Sequence, residues 1–235
     1  MRIDVLTLLP DACDRMMAES IIGRARQLEL LDMRFHQIRD YTENRQKQVD
    51  DYPYGGGMGM VMFAQPIADC FRAVCEDLGH RPHLIYLSPQ GKTLTQQRAR
   101  ELAQLPDLCL LCGHYEGVDE RIIEEIVDEE ISIGDYVLTG GEIPACILED
   151  CVARLTDGDL SDAACYENES HTNGLLEYPQ VTRPVDYHGM CVPDVLLSGD
   201  HAKIDAWRTA AAIELTRRNR PDLLREDEES SSNPT

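Results

Sequence analysis

The sequence predicts an α/β fold: a mostly parallel sheet flanked by helices, followed by a small all-α C-terminal unit. Three observations predict it. Apolar, strand-like runs at residues 3–8, 33–38, 83–87, 108–111 and 130–133 alternate with helical patterns at 20–30, 66–78, 95–105, 119–127 and 142–155, which is the rhythm of βαβ units on a parallel sheet. Residues 156–173 then show no apolar periodicity, the mark of a linker or a functional loop. Beyond them Ile204, Trp207, Ala211 and Leu215 recur at i, i+3, i+7 and i+11, one face of a helix that stops at Asn219 before Arg220-Pro221.

The elements follow in order. The N-terminal run Met-Arg-Ile-Asp-Val-Leu-Thr-Leu-Leu-Pro carries a charge at Asp4 and lacks a small-residue cleavage site, so it reads as an opening strand and not as a signal peptide. Ser20 is the expected N-cap of the first helix, and Gly79 the stop of the second. Arg121 and Glu125 are spaced for an i,i+4 surface pair. Cys109-Leu-Leu-Cys112 is the only CxxC pair. With no second pair for zinc, and Gly113 where c-type haem attachment needs histidine, it reads as small apolar residues inside a strand. Ser198 or Asp200 caps the last long helix. The expected organisation is 1–155 for the α/β domain, 156–173 for a linker, 174–225 for a helical domain and 226–235 for a disordered acidic tail.

Composition narrows the classes. The 235 residues with 43% hydrophobic content suffice for a real core, and no apolar run approaches the roughly 20 residues of a membrane span. Nine cysteines, an odd count without a secretion signal, point to reduced thiols and a cytoplasmic protein. The net charge of −21 weighs against a phosphate-rich partner. Its distribution softens that objection: the cations are 19 Arg and 3 Lys, and Arg24, Arg26, Arg34, Arg39, Arg45 and Lys47 cluster early, with Arg217, Arg218 and Arg220 late. Arginine presents a planar fork suited to phosphates. The plainer reading is arginines paired with the many carboxylates, and an excess of acid with scarce lysine also fits adaptation to salt or a need for solubility.

Two glycine-punctuated segments carry most of the functional signal: Gly113-His-Tyr-Glu-Gly-Val-Asp119 and Ser132-Ile-Gly-Asp-Tyr-Val-Leu-Thr-Gly-Gly-Glu-Ile-Pro144. Each adjoins a strand-like run and mixes glycine with aromatic and acidic residues. Either alone reads as an ordinary βα loop; together they predict a small-molecule pocket at the ends of adjacent strands. Other motifs fail. Gly91-Lys92-Thr93 resembles the end of a phosphate-binding loop, but its first glycine is replaced by Tyr86. The Gly55–Gly59 run puts Met60 or Met62 where a dinucleotide loop needs its third glycine, and reads instead as a lid or substrate-contacting loop. No HExxH or GxSxG string occurs.

Further strings align with these two segments: Ile21-Ile-Gly-Arg-Ala-Arg26, Arg39-Asp-Tyr41, Val49-Asp-Asp-Tyr-Pro-Tyr-Gly-Gly-Gly57, Gly59-Met-Val61, Leu87-Ser-Pro-Gln-Gly91, Gly174-Leu-Leu-Glu-Tyr-Pro-Gln180, Thr182-Arg-Pro184 and Val195-Leu-Leu-Ser-Gly199. In this order, from Met1 to about Leu224, the chain resembles the bacterial tRNA (guanine-N1)-methyltransferases. The resemblance implies a SPOUT-type fold whose α/β domain is threaded into a C-terminal trefoil knot, a topology that periodicity does not reveal. It implies an obligate homodimer with a composite active site, in which one subunit's cofactor pocket meets the other's linker and helical domain. The implied substrate is tRNA, methylated on N1 of the guanine immediately 3′ of the anticodon.

Carried over position by position, the resemblance assigns S-adenosylmethionine to Tyr86, Leu87 and Pro89, to Gly113, Tyr115 and Glu116, and to Ile133, Gly134, Asp135, Tyr136, Val137, Leu138, Gly140, Gly141 and Pro144. Arg154 matches the catalytic arginine; its plainer role is a helix C-terminal charge. The catalytic aspartate of the family lies in an Asp-Ser-Phe string. Counting forward from Gly158 and back from Gly174 both reach Glu169, in Glu169-Ser-His171, so the carboxylate is kept with one more methylene. On this reading Glu169 is the general base for the N1 proton and Arg154 stabilises charge on guanine O6. Magnesium dependence is implied as well, though no ligand cluster identifies a site. The alternatives are a catalytically impaired RNA-binding or regulatory paralogue, through the replacement at 169, and a knotted methyltransferase with another RNA target.

Overall fold

A computed structural model describes residues 1–156 and 169–224. In chain order the first unit holds β1 (Arg2–Thr7), α1 (Pro10–Met16), α2 (Ser20–Gln27), β2 (Asp32–Gln37), β3 (Asp50–Asp51), β4 (Val61–Met62), α3 (Ala64–Leu78), β5 (His83–Thr93), α4 (Gln96–Leu102), β6 (Asp107–Cys112), α5 (Glu120–Ile126), β7 (Glu129–Ser132) and α6 (Glu142–Ala153). The second holds β8 (Asp186–Tyr187), β9 (Met190–Cys191), α7 (Asp194–Leu197) and α8 (His201–Asn219). The two units are Met1–Leu160 and Ser161–Thr235. Most of the expected linker, 157–168, and the expected disordered tail lie outside the described residues. Among the described residues no helix is long and apolar enough to cross a membrane.

Five strands form one sheet in the order β2-β1-β6-β5-β7, and every neighbouring pair is parallel. The five expected strands are these five. β6 is buried at all six positions, which is why it reads as a continuous apolar run and not an alternating one. Leu6 and Leu111 pack with Ile67 and Val74 of α3 and Ile122 of α5, each such side chain contributing about 1.5–3 kcal/mol by burial. Cys109 and Cys112 are fully buried in β6, as expected of strand residues, and burial pushes both thiols well up from their ordinary range.

Several local expectations are corrected. Ser20 does not cap α2: it is the helix's first residue, with φ +59°, and the preceding Glu19 makes no side-chain cap bond. The helix stops at Gln27 and not near residue 30, and Glu29 takes φ +59° just beyond it. Arg121 turns back to Asp119, at 2.6 Å, and not forward to Glu125, because Asp119 is the helix N-cap and already accepts from the Arg121 N–H. Gly79 does end α3, in the left-handed region at φ +77°. The helix α1 was not foreseen. It is about two turns long with Pro10 at its start and polar Asp11, Asp14 and Arg15 inside it, too short and too charged to show a periodic stripe.

The second unit is not wholly helical: β8 and β9 pair antiparallel, Asp186 with Cys191 and Tyr187 with Met190. Asp200 caps α8 by accepting from the Lys203 N–H at 3.2 Å, one of the two caps expected. The buried positions of α8 are Ala212 and Thr216, beside the expected stripe of Ile204, Trp207, Ala211 and Leu215, which is half-buried.

Candidate active site

The chain departs from the sheet in three places at the carboxyl ends of β5, β6 and β7. In β5, Leu87 and Lys92 both stand opposite Ile131 of β7, so Ser88-Pro89-Gln90-Gly91 bulges out of the ladder. After β6, Gly113–Gly117 turns through Tyr115 at φ +58° and Gly117 at φ +124°. After β7, the 133–141 segment crosses back to β6: the Gly141 N–H donates to the Gly113 carbonyl at 2.9 Å, and His114 bridges Gly140 antiparallel. Glycine is needed at 141 for close approach, since a Cβ there would stand 2.6 Å from the Cys112 Cα. The two glycine segments of the sequence are therefore bonded to one another.

Between these segments lies a cleft of about 350 Å³. Its wall includes Tyr86, Leu87 and Pro89, then Gly113, Tyr115 and Glu116, then Ile133, Gly134, Tyr136, Val137, Leu138, Gly140, Gly141 and Pro144. Asp135 is the exception among the expected cofactor residues: it is not part of the wall, although Gly134 and Tyr136 on either side are. Burial pushes the Tyr86 phenol up to about 12, and the carboxylates of Glu130 and Glu120 add to that, so the hydroxyl stays protonated. Glu116 joins the cleft to the Gly55–Gly59 loop. Its N–H donates to the Met60 carbonyl at 2.9 Å, and a Cβ on Gly59 would meet its Oε1 at 2.6 Å. Arg39 donates to the Tyr115 hydroxyl at 3.1 Å.

Sequence reasoning missed the group that ties the cleft to the core. Glu142 opens α6, where a carboxylate complements the helix dipole, and it is buried. Its Oε1 accepts from the Thr7 hydroxyl at 2.5 Å and lies 2.7 Å from His114 Nε2. Burial alone would raise this carboxyl, but the partners His114 and Thr7 outweigh it and hold it below the usual range. Thr7 and Glu142 are 135 positions apart, so no local pattern could join them; the only signal was an acid directly after Gly140-Gly141.

Arg154 is the C-cap of α6 and is half-buried. Glu169 belongs to the second unit, where it is half-buried and its carbonyl accepts from the Thr172 N–H at 3.1 Å. There it lines a cavity of about 440 Å³ with Asp205, Arg208 and Thr209. Among the described residues no group of three or more His, Cys, Asp or Glu side chains is placed to hold a metal ion. The early and late basic clusters are largely paired: Arg26 with Asp14, Arg34 with Asp32 and Asp77, Lys47 with Asp40, Arg217 with Glu214 and Arg220 with Asp222.

Fold and cleft together define a class: α/β proteins that take a small ligand outside the carboxyl ends of a parallel sheet. The chain matches the family model of the tRNA (Guanine-1)-methyltransferase TrmD over residues 1–226. It is 58% identical over 224 residues to the tRNA (guanine-N(1)-)-methyltransferase of Ruminiclostridium cellulolyticum, covering 95% of this chain and 96% of that one. Proteins of the same name from Clostridioides difficile and Bacillus cereus are 48% and 47% identical, with 97% of this chain covered in each case and 100% and 93% of theirs. The chain belongs to the tRNA (guanine-N1)-methyltransferase family.

Proposed function

We propose that this family member transfers a methyl group from S-adenosylmethionine to N1 of the guanine immediately 3′ of the anticodon in tRNA, in the cytoplasm and as a homodimer. The observation that carries the reading is the convergence of the two glycine segments on one cleft in a chain whose relatives are named for guanine-N1 methylation of tRNA. Neither the impaired paralogue nor another RNA target draws support from those relatives.

The cleft suits that cofactor. Leu87, Pro89, Ile133, Leu138 and Pro144 offer apolar surfaces for a flat adenine, and the glycine segments offer backbone edges for its polar rim. Glu116, Glu120 and Glu130 place negative charge around a cationic ligand. When bound, S-adenosylmethionine supplies the electrophilic methyl group on its sulfonium. In the same reading the 133–141 segment is the threaded part of a trefoil knot, which its bond to Gly113 and its contact with Cys112 support.

The chain's own residues manage the guanine. Glu169 accepts the N1 proton, and Arg154 stabilises the negative charge that passes to O6. Glu169 acts from the partner subunit. The homodimer is supported by exposed apolar side chains on neighbouring helices: Leu9, Met16 and Ile21 at α1 and α2, with Ile143 and Ile147 on α6. Arg154 follows Ile143 and Ile147 at helical spacing, which puts it at the end of that face. The second unit is assigned to tRNA binding, and magnesium to no residue.

Labelled-methyl transfer to an unmodified tRNA transcript tests the reading against a transcript lacking the guanine 3′ of the anticodon. Transfer to the first only is expected. Equal transfer to both, or to neither, would overturn the assigned target.

A further inference from the structure

The second unit contains a cavity of about 380 Å³ that the methyl-transfer step does not use. Its wall joins the 178–185 segment to α7 and α8, with Tyr178, Gln180, Arg183, Trp207 and Arg208 as its chemistry-bearing members. Trp207 is half-buried and is the only tryptophan of the chain. Arg208 stacks on Tyr178, its Cζ 4.9 Å from the ring centroid, and its Nε–H is buried without a hydrogen-bond partner among the described residues. Arg183 is exposed and, unlike Arg217 and Arg220 of the same unit, forms no ion pair among the described residues.

These features select an occupant. Aromatic faces and guanidinium planes stack unpaired bases, and an unpaired arginine receives a phosphate. An apolar protein segment would fill the cavity but leave the buried Arg208 donor and the Arg183 cation unmatched. We propose that this cavity binds one unstacked base of the tRNA other than the target guanine, stacked against Trp207 and the Tyr178–Arg208 pair, with Arg183 on the adjoining phosphate. The proposal rests on tRNA being the substrate. The same Tyr178–Arg208 pair also walls the Glu169 cavity, so a base held here anchors the strand beside the proposed general base.

The sole tryptophan makes the test direct. Titrating the full-length protein with unmodified tRNA, while following Trp207 emission, is expected to give saturable quenching. Trp207→Leu weakens tRNA binding about 5- to 150-fold, the range for one stacked base. Arg183→Ala, at an exposed position where folding is not at risk, weakens it and lowers the salt slope of the affinity by about one contact. Methyl transfer to the same tRNA, measured in parallel, shows separately that the substrate is engaged. Methylation with unchanged Trp207 emission, or an Arg183→Ala protein with undiminished affinity and salt slope, overturns the proposal. So does an emission change on raising protein concentration without RNA, since that assigns the cavity to a second copy of the chain.

Discussion

His114 Nε2 lies 2.7 Å from Glu142 Oε1, and that same oxygen accepts the Thr7 hydroxyl. This joins the loop after β6, the start of α6 and the end of β1 through one buried carboxylate, directly behind the cleft. Glu142→Ala leaves two partners without an acceptor and should cost about 3 kcal/mol, read by urea unfolding. Ligand affinity should fall with it, because Gly140 packs on the His114 ring. The Glu142 carboxyl titrates lower in the folded chain than in the unfolded one. Its contribution is therefore complete above the unfolded value near pH 4.3 and is lost as pH falls through the lower folded value. Glu142→Gln should flatten that part of the acid limb.

Gly141 and Gly79 separate two reasons for glycine. A Cβ at Gly141 would come 2.6 Å from the Cys112 backbone, at an ordinary φ of −82°. At Gly79 a Cβ would meet nothing within 4 Å among the described residues, but φ is +77°. Gly79→Ala should cost about 1 kcal/mol of stability and leave ligand binding intact. Gly141→Ala must move backbone at the cleft, so it should cost about 1–3 kcal/mol or more and abolish S-adenosylmethionine binding, as calorimetry would show.

Asp4 is fully buried in β1 and held by Arg2 and His36, each at 2.7 Å. Burial alone would raise its carboxyl, yet the side-chain hydrogen bonds to His36 and Arg2 prevail and hold it below the usual range. The stability it adds is present above the unfolded value near pH 3.9 and disappears as pH drops through the folded one. Asp4→Asn removes the buried one of Arg2's two carboxylate partners, leaving only the half-exposed Asp77, and should cost about 3 kcal/mol at neutral pH. Denaturant midpoints of the two proteins should converge below pH 4.

Glu149 behaves in the opposite sense. It is fully buried on α6, and among the described residues its oxygens find no partner stronger than the Cys146 thiol beside it. Burial pushes its carboxyl well above the usual range, so it folds in the neutral form. Stability from this site is complete below the unfolded value near 4.3 and falls as pH rises towards the folded value, by about 1.4 kcal/mol per pH unit. Glu149→Gln keeps the shape and removes the proton. It should stabilise the protein at neutral pH and remove this slope from a pH series of thermal midpoints.

What the sequence made legible follows from range. The buried strand β6 and the Gly79 stop are written in consecutive residues, and so were readable. The composition of Gly113–Gly117 and of 133–141 marked both sides of the cleft, but not the bond from Gly141 to Gly113 that holds them together. The Ser88–Gly91 bulge depends on two β5 residues sharing Ile131 as partner, and the Thr7–Glu142 bond joins residues 135 positions apart. Arg121 shows the limit at short range: two acids lay within reach, and the cap position of Asp119 decided between them.

Glu169 allows a test of chemistry apart from folding. It stands where the resemblance expects aspartate, and it lines a cavity with Asp205 and Arg208. If it removes the guanine N1 proton, Glu169→Gln keeps size and loses the base. Methyl transfer under single-turnover conditions should then fall at least 100-fold, with S-adenosylmethionine affinity unchanged. Glu169→Asp keeps the base but shortens its reach by one methylene. Because small displacements of a catalytic group change rates steeply, it should alter the single-turnover rate while preserving its dependence on a deprotonated carboxylate. A Gln variant that turns over as fast as the parent protein would remove Glu169 from the role of base.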